Sequence, residues 1–135
     1  MTLIDSNVLI DLLIDDPKWS DWSLAHLEQA ALNGPLLIND IVYAETSTRY
    51  LAIEDFESAL GIANVSVVPT PRTALFLAGK AFTQYRRAGG VRTGVADFFI
   101  GAHAAVEQLP LLTHDPRRYR HYFPTVVLIT PENER

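Results

Sequence analysis

The chain has 135 residues, of which 48% are hydrophobic, and it carries a formal net charge of −5. This length fits one domain, residues 1–135, and the apolar residues are spread widely enough to exclude disorder as the main state. The sequence contains no cysteine, which excludes disulfides, thiolate zinc sites and cysteine nucleophiles and is typical of a reducing compartment.

Short apolar runs alternate with amphipathic segments along the whole chain. In chain order, the predicted elements are strand 2–4, helix 8–14, helix 20–32, strand 36–38, a helix capped at 39–40, helix 54–63, strand 65–68, helix 71–88, helix 94–108, strand 111–113 and strand 126–129. The strands are continuous apolar runs rather than alternating ones, which is typical of a parallel sheet. The pattern therefore predicts an α/β fold with helices on both faces of a short-stranded parallel sheet.

Four acidic residues lie in or beside these apolar segments, namely Asp5, Glu45, Asp97 and Asp115. A carboxylate is costly to bury unless it is paired or binds a cation. Asp5 and Asp115 each follow a predicted strand, and ligands of parallel sheets bind beyond the carboxyl ends of the strands. Magnesium prefers oxygen ligands, so the four acids predict a metal-dependent enzyme that acts on phosphodiesters.

Each acid also has a structural explanation when it is considered alone. Asp5 occupies a helix-capping position, although Ser6 or Asn7 would cap equally well. Asp97 suits the first turn of a helix, Asp115 a turn, and Glu45 an exposed helix surface. The occurrence of all four in one small α/β domain favours a functional site.

Arginines account for nine of the eleven basic residues, and most of them fall in two clusters. The clusters are Arg86, Arg87 and Arg92, and Arg117, Arg118 and Arg120. Arginine binds phosphate in a bidentate manner, so these clusters are candidate nucleic-acid contacts despite the acidic net charge. The alternative is that they are solvated helix ends.

The histidines show no metal-ligand spacing, and a structural role is the simplest interpretation of each. His114, beside Asp115, is retained as a candidate substrate contact. The sequence has no phosphate-binding glycine loop, dinucleotide fingerprint or serine-nucleophile elbow. It therefore gives no support to nucleoside triphosphate hydrolysis or serine hydrolysis.

The beginning of the chain lacks a basic segment, and no run approaches the ~20 apolar residues of a membrane span. We therefore expect no signal peptide, no membrane association and a cytoplasmic location.

Four motifs in order resemble those of PIN-domain ribonucleases, and more narrowly the VapC-type toxins of type II toxin–antitoxin pairs. They are Ile4-Asp5-Ser6-Asn7-Val8-Leu9-Ile10, Asn39-Asp40-Ile41-Val42-Tyr43-Ala44-Glu45, Asp97-Phe98-Phe99-Ile100-Gly101-Ala102-His103-Ala104 and Leu111-Leu112-Thr113-His114-Asp115, the last followed by Arg118-Tyr119 and Tyr122-Phe123. Each motif is short, but together they cover nearly the whole chain. One departure is His114, where relatives often carry Arg or Asn.

The resemblance implies a PIN fold and an endoribonuclease that hydrolyses RNA with magnesium, or alternatively manganese. It implies Asp5, Glu45, Asp97 and Asp115 as catalytic and metal-binding residues, with Asn7 and Thr113 in support. It also implies a cognate VapB-type antitoxin as partner. Trp19 and Trp22 are candidates for that interface or for a homodimer, unless both belong to the core.

Three other functions are compatible with the same pattern. A small-phosphoester phosphatase of the haloacid-dehalogenase type would need a second Asp where this chain has Asn7. A non-catalytic RNA-binding or interaction module would bind RNA without metal or Asp5. A structure-specific DNA nuclease is disfavoured because the chain has no long insertion to clamp a duplex.

Overall fold

Strands and helices alternate along the chain in the computed structural model, which describes residues 1–91 and 94–131. The elements are β1 (Thr2–Ile4), α1 (Ser6–Leu13), α2 (Ser20–Leu32), β2 (Leu36–Asn39), α3 (Asp40–Ser47), α4 (Ile53–Ala63), β3 (Val65–Val68), α5 (Arg72–Arg87), α6 (Val95–Glu107), β4 (Leu111–Leu112), α7 (Arg117–Tyr122) and β5 (Leu128–Ile129). The alternation predicted from the apolar runs is confirmed.

The sheet has five strands in the order β3-β2-β1-β4-β5, and every neighbouring pair is parallel. The central strand β1 pairs with β2 on one side and β4 on the other, so that Leu3 lies opposite both Leu37 and Leu111. The chain runs outward from β1 in both directions, which makes its carboxyl end the point where the strand order switches. Residues that follow β1 and β4 are therefore brought to the same edge of the sheet.

The core is the sheet and the apolar faces of the helices that flank it. Leu3, Ile4 and Ile38 of the inner strands have no exposed surface, and Phe98 of α6 is equally buried. Gly101 lets α6 approach α7 closely, because a Cβ at this position would meet the rings of Tyr119 and Phe123. Among the described residues, no helix is both long and apolar enough to cross a membrane.

Helix α7 was not predicted from the sequence. It has six residues, four of them Arg or His, so it offers too few apolar positions for a helical period to be recognised. Strand β5 also begins at Leu128, two residues later than the apolar run that starts at Val126.

The capping of α3 differs in one detail from the expected pattern. Asn39 alone caps the helix, because its Oδ1 accepts from the backbone N–H of Val42 at 2.9 Å. Asp40 instead accepts hydrogen bonds from the backbone N–H and the hydroxyl of Thr70. The Asp40 carboxylate therefore joins α3 to the segment before α5.

Candidate active site

Asp5 lies directly after β1, at the N-cap position of α1, and only 3% of it is exposed. Within the described chain, its carboxylate caps no backbone amide of α1. Its Oδ2 instead accepts hydrogen bonds from Thr113 Oγ1 at 2.9 Å and from the Tyr119 hydroxyl at 2.7 Å. Helix capping therefore does not explain why a carboxylate occupies this position.

Two hydroxyl groups join Asp5 to two further carboxylates. Ser6 Oγ donates to Glu45 Oε1 at 2.7 Å and lies 3.4 Å from Asp5 Oδ1. The Tyr119 hydroxyl lies 3.3 Å from Asp97 Oδ1. The structure thus brings Asp5, which follows β1, together with Glu45 of α3 and Asp97 of α6.

The electrostatics of the pocket reflect this crowding of acids. Burial is the main reason that the pKa of Asp5 rises to about 7, and the nearby charges of Asp97 and Glu45 raise it further. Burial also raises the pKa of Asp97 to about 6, although the charge of Arg118 acts in the opposite direction. Each carboxylate therefore makes it harder for its neighbours to ionise.

Asp115 lies at the rim of this pocket, with about half of its side chain exposed. Arg117 binds both of its carboxylate oxygens, through Nε at 3.0 Å and Nη2 at 3.2 Å, and this hydrogen bonding lowers the pKa of Asp115. The charge of Asp115 contributes to the raised pKa of Asp97, which places the two acids within electrostatic range of each other.

Asn7 and Thr113, the predicted supporting residues, form a connected network beneath Asp5. Asn7 Nδ2 donates to Thr113 Oγ1 at 3.1 Å and lies 3.4 Å from Asp5 Oδ2. The backbone N–H of Asp115 donates to Thr113 Oγ1 at 3.1 Å. These contacts fix the Asp5 carboxylate relative to the segment that carries Asp115.

The chemistry of these donors fits a divalent cation. All the candidate ligands are carboxylate oxygens, which hard cations prefer, and a positive charge would relieve the repulsion that raises the pKa of Asp5 and Asp97. Among residues 1–91 and 94–131, no three acidic or histidine side chains are yet close enough to hold a metal ion together. The bridging hydroxyls of Ser6 and Tyr119 lie between the carboxylates instead.

His114 does not point to an acid of the pocket. Its Nδ1 pairs with Asp11 Oδ2 at 2.6 Å, and its ring stacks on Trp19 with the centroids 4.6 Å apart. Asp11 is buried and also accepts from Ser23 Oγ at 2.8 Å. Trp19 and Trp22 are both partly buried, so neither belongs wholly to the core, and their role at an interface stays a prediction.

His103 has the structural role expected of it. It is 2% exposed, and its Nδ1 lies 3.1 Å from the side-chain amide of Asn39. Burial lowers the pKa of His103, which favours the neutral ring.

The predicted RNA-contacting arginines have different surroundings. Arg118 donates to the carbonyl of Gly94 at 2.8 Å, lies 3.5 Å from Asp97 Oδ2 and stacks over the ring of Tyr85. Gly94 is needed here because its φ is +72° and because a Cβ would clash with the Arg118 guanidinium. Arg117 lies at the rim of the pocket and is exposed. Arg86 and Arg87 at the end of α5 and Arg120 in α7 are also exposed. Arg92 lies outside the described residues.

Three residues in or beside the site were not predicted from the sequence, namely Ser6, Tyr119 and Asp11. Ser6 could have been found from its position beside Asp5. Tyr119 gives a weaker signal, since it follows Asp115 by four residues in a helix that was not predicted. Asp11 gives none, because its partner His114 is 103 residues away.

The fold and the site together define an α/β protein with an acidic pocket at the carboxyl edge of a parallel sheet. A family model described as the PIN domain matches residues 2–124, and the chain belongs to this family. A comparison with curated proteins gave no significant match.

Solved structures with the same fold include three VapBC assemblies. VapBC2 from Rickettsia felis, bound to a DNA fragment from its promoter, is 21% identical with a TM-score of 0.71, covering 96% of this chain and 98% of that chain. DNA-bound VapBC from Salmonella typhimurium is 21% identical with a TM-score of 0.69 and the same coverage, 96% and 98%. VapBC-1 from nontypeable Haemophilus influenzae is 19% identical with a TM-score of 0.70, covering 96% of each chain. At this level of identity the likeness shows the fold.

Proposed function

We propose that this chain is a VapC-type toxin, a metal-dependent endoribonuclease that hydrolyses RNA phosphodiester bonds. The observation that carries the proposal is a group of three carboxylates at the carboxyl edge of a PIN-domain sheet, the buried Asp5 and the partly buried Glu45 and Asp97. Burial raises the pKa of Asp5 to about 7, and neither helix capping nor ion pairing explains why a carboxylate is buried there. A carboxylate held at such a cost is typical of a functional site.

Asp5, Glu45, Asp97 and Asp115 would hold magnesium or manganese as oxygen ligands. When bound, such a cation lowers the pKa of a water molecule for attack on phosphorus and stabilises the charge on the phosphate. Thr113 and Tyr119 fix the orientation of Asp5 through their hydroxyls. Arg118 partly neutralises Asp97, which lowers the repulsion that an approaching RNA backbone would meet.

Single-stranded or looped RNA is the proposed substrate, because unpaired segments expose both backbone and bases. The exposed arginines, Arg117 at the rim and Arg86 and Arg87 on α5, are proposed to attract the phosphates. The structural neighbours are toxin–antitoxin complexes, so a VapB-type antitoxin is the proposed partner, with a homodimer as the proposed assembly. This substrate and this partner place the activity in the cytoplasm.

Inducible expression in a bacterial host tests the proposal. The wild-type chain should arrest growth and produce discrete RNA fragments, whereas Asp5→Asn should lower cleavage by on the order of 10³-fold, because it removes a ligand charge without changing side-chain size. Cleavage by the purified wild type should also stop when EDTA is added and resume with excess Mg²⁺ or Mn²⁺.

Asp21→Asn is the matched control, since Asp21 is an exposed acid on α2. This variant should be as toxic as the wild type. Cleavage that survives both chelation and Asp5→Asn would refute the metal-site proposal. Intact RNA from every variant, together with RNA binding that needs no metal, would instead support a binding module.

A further inference from the structure

An open cavity of about 400 Å³ lies between α5, α6 and α7, directly beside the carboxylate pocket. Asp97 and Asp115 form one side of it, and Arg117 and Arg118 lie next to them. The remaining lining is supplied by three rings, those of Tyr85, His121 and Tyr122. Its volume is in the range of small-ligand sites.

The rings of Tyr85 and Tyr122 pack against the edge of the core and also line the cavity. Tyr85 and Tyr122 are partly exposed and His121 is exposed. The His121 and Tyr122 rings have their centroids 4.5 Å apart, and those of Tyr85 and Tyr122 are 6.1 Å apart, with the ring planes of each pair nearly perpendicular. The guanidinium of Arg118 lies over the Tyr85 ring, so the rings of His121 and Tyr122 are the ones that a flat aromatic group can reach.

Carboxylates, guanidinium groups and aromatic rings all line this one cavity. Arg117 stands at its rim with 86% of its side chain exposed. The Arg117–Asp115 pair is exposed, so solvent screens it, and Arg117 can exchange its carboxylate for a phosphate at little cost. A nucleotide has a group suited to each, a phosphate for the guanidinium and a flat base for a ring.

We propose that this cavity is a nucleobase subsite, which takes one unpaired base of the RNA beside the scissile phosphate. The base stacks on the exposed His121 ring and meets the perpendicular Tyr122 ring with its edge, while Arg117 binds the adjoining phosphate. Aromatic rings next to arginines are the usual means of holding single-stranded RNA, because every base has a face to stack. The inference rests on the proposed function and deepens it, since it assigns residues that decide where on the RNA the cut falls.

Fluorescence anisotropy with a labelled, unstructured RNA oligonucleotide containing all four bases tests the subsite. Measurements in the Asp5→Asn background keep the RNA intact. Tyr122→Ala and His121→Ala should each weaken binding about tenfold, whereas Tyr122→Phe should bind normally because it keeps the ring. Phe76→Ala, which removes a ring that is 69% exposed elsewhere on α5, should also bind normally.

The same RNA with a single abasic site, moved along the sequence, provides a second measurement. At one position the abasic RNA should bind the Asp5→Asn protein about tenfold more weakly, and at that position Tyr122→Ala should cause no further loss. Ultraviolet crosslinking to total bacterial RNA should place the nucleotide adduct on the tryptic peptide that begins at His121.

The outcomes separate this inference from the proposed function. If the wild type cleaves RNA but Tyr122→Ala and His121→Ala bind RNA normally, the subsite is refuted and the ribonuclease stands. If the wild type cleaves no RNA but the abasic effect depends on Tyr122, the subsite stands without the nuclease. Normal RNA binding by both variants, with loss of binding to the antitoxin, would assign the cavity to the protein partner and overturn the inference.

Discussion

Tyr119 places a single hydroxyl between two carboxylates that lie far apart in the sequence. The residue is 1% exposed, and its hydroxyl donates to Asp5 Oδ2 at 2.7 Å while lying 3.3 Å from Asp97 Oδ1. Burial, together with the charges of Asp5 and Asp97, raises the pKa of Tyr119 well above its ordinary value, so the hydroxyl keeps its proton. Tyr119 is therefore a permanent hydrogen-bond donor that sets the orientation of Asp5.

The Tyr119→Phe variant isolates this hydroxyl. The ring remains in the core, so we expect a loss of stability of only about 1 kcal/mol. Manganese affinity and RNA cleavage should each fall by about 10- to 100-fold, the range found when a partner of a metal ligand is removed. Titration calorimetry with Mn²⁺ and a cleavage assay measure the two effects.

Tyr43→Phe is the control for that experiment, because the Tyr43 hydroxyl donates to Glu57 at the surface. It should alter neither manganese binding nor cleavage. If Tyr119→Phe also leaves manganese binding and cleavage unchanged, the Tyr119 hydroxyl does not contribute to the orientation of Asp5.

At the scale of elements, the β4–α7 connection is fastened to α1 by polar contacts rather than by apolar packing alone. His114 pairs with Asp11 of α1, and its backbone N–H donates to Asn7 Oδ1 at 3.3 Å. The segment carries Thr113 and Asp115, and α1 begins directly after Asp5. The Asp11–His114 pair, which lies outside the site, therefore holds α1 and the preceding Asp5 against the segment that carries Thr113 and Asp115.

Asp11→Asn tests this fastening. It removes the charge from a buried carboxylate whose partners, His114 and Ser23, remain, so we expect a loss of about 2 kcal/mol in the free energy of unfolding. Urea titration measures this loss. Asp15→Asn is the control, because Asp15 is exposed with a φ of +51° that Asn tolerates, and it should be neutral. Equal stability of the two variants would mean that the Asp11–His114 pair contributes nothing.

Some elements of the fold could be predicted from the sequence, whereas the contacts between distant elements could not. β1 and β2 were predictable because continuous apolar runs have few alternatives, and α2 because its apolar spacing extends over 13 residues. The position of Asp5 at the edge of the sheet was also predictable, because it follows directly from the prediction of β1. The Asp5–Tyr119 contact was not predictable, because it joins residues 114 positions apart through a helix without an apolar period. Such contacts depend on how α6 and α7 pack, and packing is decided by the whole fold.

At the scale of the whole molecule, the acidic pocket makes the metal-free protein sensitive to pH. The pKa of Asp5 is raised from 3.8 to about 7 and that of Asp97 to about 6, so between these values and pH 3.8 the folded state binds more protons than the unfolded state. Stability from these two groups is therefore fully present below pH 3.8 and is lost as the pH rises to about 7. The pocket thus favours folding least at neutral pH, where a cation would be most strongly attracted.

Asp5→Asn removes the larger part of this effect. In EDTA, the variant should be more stable than the wild type at pH 8 by on the order of 3 kcal/mol, and this advantage should vanish towards pH 4. Burial lowers the pKa of His103, so this residue makes the folded state less stable as the pH falls. Both proteins contain His103, so its effect cancels in the difference between their stabilities. Thermal unfolding followed across this pH range, with Asp21→Asn as the control, measures that difference.

Adding Mn²⁺ at pH 8 should raise the unfolding temperature of the wild type and leave that of Asp5→Asn nearly unchanged, because the variant has lost a ligand charge. A wild type that is as stable as Asp5→Asn at pH 8 in EDTA would mean that burying the Asp5 carboxylate does not destabilise the fold, so that the pocket has no unfavourable charge for a cation to relieve.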